Sequence, residues 1–261
     1  MEFNLNTLLI LAFLFFIGSL IGWVIEVIYR KFFSNCNPER KWINPGFLVG
    51  PYVPLYGFSL VILYVFSWIP VNFTENIIIQ KLVLFLLMAV AITFIEFLAG
   101  LLSIKVMHIK LWDYSTEWGN IKGIICPKFT FYWMILSAIY YFFIHPEIIE
   151  SLYWLSGHLT FSFFIGLFYG VFAVDFGYSI QLLVKIRKFA RENQIELKIE
   201  EFKEYIIRKR EKLKLRVSFM LPLRATGFDF SEDVKEFVQK RLEKEKESIE
   251  NIKEKVKSIR K

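Results

Sequence analysis

Up to Lys185 the chain is a succession of apolar runs, and five of them are long enough, or nearly so, to cross a bilayer. The hydrocarbon core of a membrane is about 30 Å thick and takes roughly 20 apolar residues of helix to span. The runs fall near 5–29, 51–70, 77–104, 129–145 and 159–184. The fourth is the shortest, and the second opens on a proline-rich stretch. From Lys185 onward the chain turns dense in Lys, Arg and Glu. The expected fold is therefore all-α. A polytopic helical bundle of about five transmembrane helices occupies 1–184, and a basic helical cytoplasmic tail occupies 185–261.

Composition agrees with that division. The chain is 55% hydrophobic and 18% aromatic, with a mean hydropathy of +0.44, too apolar for a soluble domain of 261 residues. The overall charge of +7 hides two opposite halves: the tail carries +8 and the membrane part −1. A basic tail beside a bilayer is suited to anionic lipid headgroups. No zinc-finger or RNA-binding signature points to nucleic acid. The two cysteines, Cys36 and Cys126, lie in different loops with no histidine cluster nearby, so neither a disulfide framework nor a metal site is expected. No cofactor is expected either. The first apolar run has neither the basic flank nor the cleavage site of a signal peptide and reads as a retained helix.

Loop charge sets the expected orientation. Arg30, Lys31, Arg40 and Lys41 follow the first run, Lys105, Lys110, Lys122 and Lys128 follow the third, and the tail follows the fifth. The N-terminus and the 145–158 connection have no Lys or Arg. With five spans all basic regions share one face, which places the N-terminus outside and the tail inside a cell (inner) membrane.

The two long loops on the basic face carry one short signature. The first reads Trp42-Ile43-Asn44-Pro45-Gly46-Phe47-Leu48-Val49-Gly50-Pro51, and the second Trp118-Gly119-Asn120-Ile121-Lys122-Gly123-Ile124-Ile125-Cys126-Pro127. Each follows a span with a glutamate in its inner half, Glu26 or Glu96. This suggests two span–loop–span units in the same sense, an arrangement found in transporters with sites at the repeat interface. The plainer alternative is that Asn, Gly and Pro mark turns ahead of helices. Apolar triplets in such loops suggest that 44–54 and 119–127 tuck back under the bundle.

These residues resemble a known family. Gly22-Trp23-x-x-Glu26-x-x-Tyr29, then Asn44-x-Gly46-Phe47-Leu48-x-Gly50-Pro51-x-x-Pro54-x-Tyr56-Gly57, then Trp112-Asp113-Tyr114-Ser115 and Asn120-x-x-Gly123, are similar to the ABC-transporter permease family of CmpB type. The resemblance covers about residues 18–140. It implies a permease working with a separate ABC ATPase subunit, and a loop motif of Asn44, Gly46, Gly50, Pro51, Trp112, Asp113, Tyr114, Asn120 and Gly123. Pro45 departs from the pattern, standing where a basic residue is expected.

Three carboxylates inside apolar runs, Glu96, Glu26 and Asp175, are the candidate substrate- or ion-binding groups, because a charge in hydrocarbon needs a partner, a cavity or a substrate. Glu96 is read either as a cavity residue or as a structural partner tying helices together, with Ala99-Gly100 allowing close approach. Glu26 has Arg30 at i+4, the geometry of an intrahelical pair. Asp175, between Gly170 and Gly177, serves either a cavity or a local kink. Asp113 is expected to cap its loop or to pair with a basic loop residue.

The tail reads as one or two amphipathic helices over 185–216, broken near Asn193, then an apolar patch at 217–223. A last helix comes after it, with Ser231 as N-cap and Glu232 and Asp233 in its first turn. Val238, Leu242, Ile249, Ile252, Val256 and Ile259 are spaced as a seam, for a homo-oligomer or for packing within the chain. No catalytic constellation and no phosphate-binding loop occur, so the expectation is a transport component with a cytoplasm-facing acidic site rather than an enzyme. The alternative is a non-transporting membrane scaffold or regulator whose basic tail recruits partners or lipid.

Overall fold

Two helical hairpins, a long fifth helix and a docked helical tail make up the molecule. The computed structural model describes the chain apart from residues 1–4, 35–36, 71–74, 146–147, 149–151, 153, 155–157, 193–196, 213–229 and 260–261. The helices among the described residues are α1 (Leu5–Phe32), α2 (Pro54–Ser67), α3 (Ile77–Met107), α4 (Pro127–Ile139, prolonged by a π turn over Tyr140–Ile144), α5 (Leu159–Glu192), α6 (Ile199–Lys212) and α7 (Phe230–Ile259). Two short strands, β1 (Ile109–Lys110) and β2 (Leu197–Lys198), pair in parallel and join the end of α3 to the tail.

The all-α architecture stands, but the count of five spans does not follow from helix length. Among the described residues, three segments are long and apolar enough to cross a membrane: Asn6–Phe32, Ile77–Met107 and Thr160–Gln181. The second expected span is the 14-residue α2, about 21 Å at 1.5 Å per residue. The fourth is the 13-residue α4 with its π turn. Both short helices start on a proline, Pro54 or Pro127, whose ring has no N–H to continue a helix backward. The chain ahead of each is instead spent on an apolar loop folded into the bundle, with Leu48 and Tyr52 buried in the first loop and Ile124 and Cys126 in the second.

Glycines set how closely α1 and α2 approach. A Cβ on Gly57 would lie 2.6 Å from the Phe15 carbonyl oxygen, and one on Gly22 would fall 2.2 Å from the Tyr56 ring. Small residues four apart, here Gly18 and Gly22, let helices pack where lipid gives no hydrophobic drive. The same device recurs at Gly100, against which Ile124 of the second loop packs.

On α3 a period of about four separates two faces. Leu84, Met88, Ile92, Glu96, Gly100 and Ser103 are buried, while Leu82, Leu86, Val90, Phe94, Leu98 and Leu102 are exposed, an apolar stripe suited to lipid. Helix α5 meets α1 through rings: Phe168 packs on Phe16, Phe172 on Phe15, and the Tyr169 hydroxyl donates to the Ala12 carbonyl. Its other side, with Phe163, Leu167 and Val174, is exposed.

The tail is docked on the loops. Phe202 and Ile206 of α6 and Val234 and Val238 of α7 share a second core with Ile109 and Leu183, and Phe47 of the first loop packs against it. Thus α7 uses its first apolar residues within the chain, while the side chains of Ile249, Ile252, Val256 and Ile259 lie outside the described residues, as do Asn193, Cys36 and the 217–223 patch. Helix α7 begins at Phe230, so Ser231 sits inside its first turn rather than ahead of it as the N-cap; Glu232 and Asp233 are in that turn as expected.

Gly57→Ala and Gly46→Ala separate contact from strain. Gly46 has open space around its missing Cβ but a φ of +67°, a left-handed conformation that costs a side chain about 1–2 kcal/mol. Gly57→Ala forces the α1 and α2 backbones apart and should lower the thermal midpoint of the detergent-solubilised protein more than Gly46→Ala. Equal losses would show that the hairpin does not depend on this close approach.

Candidate functional site

Both loops on the tail-bearing face are wound around an asparagine. In the first, the Trp23 indole N–H donates to Asn44 Oδ1 at 2.7 Å, and Asn44 Nδ2 donates to the carbonyls of Leu48 and Val49 at 3.2 and 2.9 Å. Gly46 makes the left-handed turn between them. In the second, Asn120 Nδ2 donates to the carbonyls of Ser115 and Glu117, Oδ1 accepts from the Gly123 N–H at 3.0 Å, and Gly123 has a φ of +67°. The shared sequence signature thus corresponds to a shared way of closing the loop. Trp112 completes the second one by donating to the Ile124 carbonyl at 2.8 Å.

Asp175 of α5 is joined to the first loop. It accepts from the N–H groups of Val49 and Gly50, from the Tyr52 hydroxyl at 2.5 Å and from the Ser179 hydroxyl at 3.0 Å. From the other side Lys203 of α6 donates to the carbonyls of Asn44 and Gly46 at 2.9 and 2.6 Å. Lys203 is only 3% exposed. Burial, with the Arg30 guanidinium adding to it, pushes its amine down to about 7 against the pull of Glu200 and Asp175. Two carbonyls accept from it, which suits a neutral amine with two N–H bonds.

Asp113 caps its loop, as expected, and pairs with the tail rather than with a loop cation alone. Its Oδ1 accepts from the Ser115 N–H at 3.1 Å, and its Oδ2 pairs with Lys198 of β2 at 2.6 Å. Burial raises this carboxyl, but Lys198 and Ser115 outweigh it and hold it below the usual carboxylate range.

Glu26 and Glu96 face one cavity of about 730 Å³ between α1, α2, α3 and α4, together with Tyr29, Tyr56, Tyr114 and Trp133. Their surroundings differ. Glu26 accepts from the Tyr56 hydroxyl at 3.0 Å and pairs with Arg30 at 3.3 Å; Arg30 also pairs with Glu200 of α6 at 2.5 Å. Glu96 is 1% exposed. Its Oε1 accepts from the Tyr114 hydroxyl at 3.2 Å, and the Trp133 indole interacts with the same carboxylate. Its Oε2 is buried without a hydrogen-bond partner among the described residues. Asp175 does not line this cavity.

A family model described as Putative ABC-transporter type IV matches residues 13–180. The chain belongs to that family. The match extends past the 18–140 stretch of the motifs, so the first part of α5, with Asp175, falls within it as well. No curated protein and no solved structure matches the chain. Membership and the three long apolar helices make it a multi-pass membrane protein of ABC-transporter type.

Sequence reasoning missed Lys203, Glu200 and the docking of the tail. The signal lay in Ile199, Phe202 and Ile206, spaced three and four apart among the charges of α6. Tyr114 was singled out with its loop, but its contact with Glu96, 18 residues away, has no mark in the sequence.

The loop anchors lead to two expected outcomes. Asp175→Asn replaces an acceptor of two backbone N–H groups with an amide that offers one acceptor oxygen, and it should cost about 2–3 kcal/mol, read as a lower midpoint in detergent. For Lys203, the docked amine sits near 7 and a free lysine near 10.4. The contribution is thus full above about pH 10 and falls away as pH drops to 7. Between pH 9 and 6 the docked tail should lose about 2–3 kcal/mol, seen as faster hydrogen exchange of α6 after correction for intrinsic rate. Lys203→Met should flatten that dependence.

Proposed function

We propose that this chain is the membrane-embedded permease-type subunit of a transport system, with loops and tail on the cytoplasmic side, and that the cavity at Glu96 and Glu26 is its solute site. The observation that supports it is a buried carboxylate oxygen, Glu96 Oε2, left without a partner among the described residues on the wall of a cavity. Burying a polar oxygen without a hydrogen-bond partner costs about 1–3 kcal/mol, and structure alone gains nothing from leaving it so. A cationic or protonated solute supplies the missing partner. The size of the cavity suits the role, since small-molecule sites run to roughly 300–1,000 Å³.

In this reading a separate ATPase drives the cycle and docks on the second loop. The first loop is covered by α6, whereas Trp118 at the tip of the second is 85% exposed, with Ile121 and Lys122 exposed beside it. The tail then acts as a brace: Arg30–Glu200 and Lys198–Asp113 tie it to α1 and to the second loop.

Purified in mild detergent from its own membranes, the chain should bring with it a subunit carrying a phosphate-binding loop and ATPase activity. Trp118→Ala with Ile121→Ser should reduce that subunit at least fivefold while expression and thermal midpoint stay unchanged. A chain that purifies alone in full yield contradicts the permease reading and favours a non-transporting scaffold.

A further inference from the structure

The cavity also says what kind of cation fits it, an inference that rests on reading it as a solute site. Calcium and magnesium take six or more oxygens. Among the described residues Glu96 Oε2 is left without a partner, while Glu26 is engaged by Tyr56 and Arg30 and Oε1 of Glu96 by Tyr114. The volume of about 730 Å³ greatly exceeds what a bare ion fills. Aromatic rings line the walls instead. Tyr114 stacks on Phe129 with centroids 4.0 Å apart, Tyr56 meets Trp133 at 4.8 Å, and Tyr29 lies against Phe129 at 5.7 Å. Aromatic faces around one carboxylate are the arrangement that holds organic ammonium groups, by attraction to the ring quadrupole.

The charges around the cavity favour the same ligand. Arg30 answers both Glu26 and Glu200, Lys198 answers Asp113, and Lys128 pairs with Glu117 at 2.9 Å. Glu96 has no cation among these pairs, and Arg30 alone answers two carboxylates. We infer that the cavity of this protein takes a monovalent organic ammonium with an apolar body, its charged head at Glu96 and its body among Tyr29, Tyr56, Tyr114, Phe129 and Trp133.

The probe is benzyltrimethylammonium, with its uncharged carbon isostere neopentylbenzene and sodium as comparisons. Binding to the full chain in nanodiscs is measured by equilibrium dialysis, less the uptake of empty nanodiscs. The expected result is saturable binding of the ammonium, weakened at least tenfold by Glu96→Gln and less by Glu96→Asp, with the thermal midpoint of both variants near wild type. The isostere should bind equally to wild type and Glu96→Gln. If the ammonium does not bind, or binds no better than its isostere, the ligand class is overturned. If sodium then binds in a Glu96-dependent manner, the solute-site reading survives without it. If no ligand depends on Glu96, both fall together.

Discussion

Irregular backbone folded into an apolar bundle must find partners for its N–H and C=O groups without help from water, and the first loop meets that demand from three directions. Asn44 takes the carbonyls of Leu48 and Val49, Asp175 takes the N–H groups of Val49 and Gly50, and Lys203 takes the carbonyls of Asn44 and Gly46. Each partner comes from a different part of the chain, so the loop ties α5 and the tail to the α1–α2 hairpin. The tail is therefore a structural member of the bundle. Its removal would strip the loop of Lys203 and Arg30 of Glu200, which makes truncation of 185–261 a test of folding before it is a test of recruitment.

With the loops closed in this way, the carboxylates separate by what surrounds them. Asp175 is fully engaged by backbone and hydroxyl donors, and Glu26 by Arg30 and Tyr56. Glu96 lacks a cation and has one oxygen free among the described residues. The two hairpins, similar in their asparagine-wound loops and proline-started helices, thus differ where the chemistry is. An arginine four residues after the glutamate neutralises the first copy, and the matching position in the second is Gly100, packed under Ile124.

Much of this was legible in the sequence, for physical reasons. Long apolar runs mark helices, Asn, Gly and Pro mark turns ahead of helices, and a glutamate four residues before an arginine marks an ion pair. The lengths of the second and fourth helices were not, because Pro54 and Pro127 begin short helices inside apolar stretches that hydropathy reads as whole spans. Nor was the docking of the tail on the first loop. Its charges suggested a solvated or lipid-facing surface, while Phe202 and Ile206 are buried and Lys203 reaches a loop 159 residues away. Such long-range partners leave no local periodicity. The role of the Glu96 cavity depends on the same kind of distant contact, Tyr114 and Trp133 around a residue of α3.

Among the described residues Glu96 is the buried carboxylate with an oxygen left unpartnered. A hydrophobic carbodiimide reacts with carboxyl groups that are buried in apolar surroundings and are neither ion-paired nor fully hydrogen-bonded. Site-resolved mass spectrometry after such labelling in nanodiscs should find the N-acylurea on Glu96, with Asp175 and Glu26 unmodified and benzyltrimethylammonium protecting. Modification of Asp175 or Glu26 in preference to Glu96 would contradict that reading of Glu96.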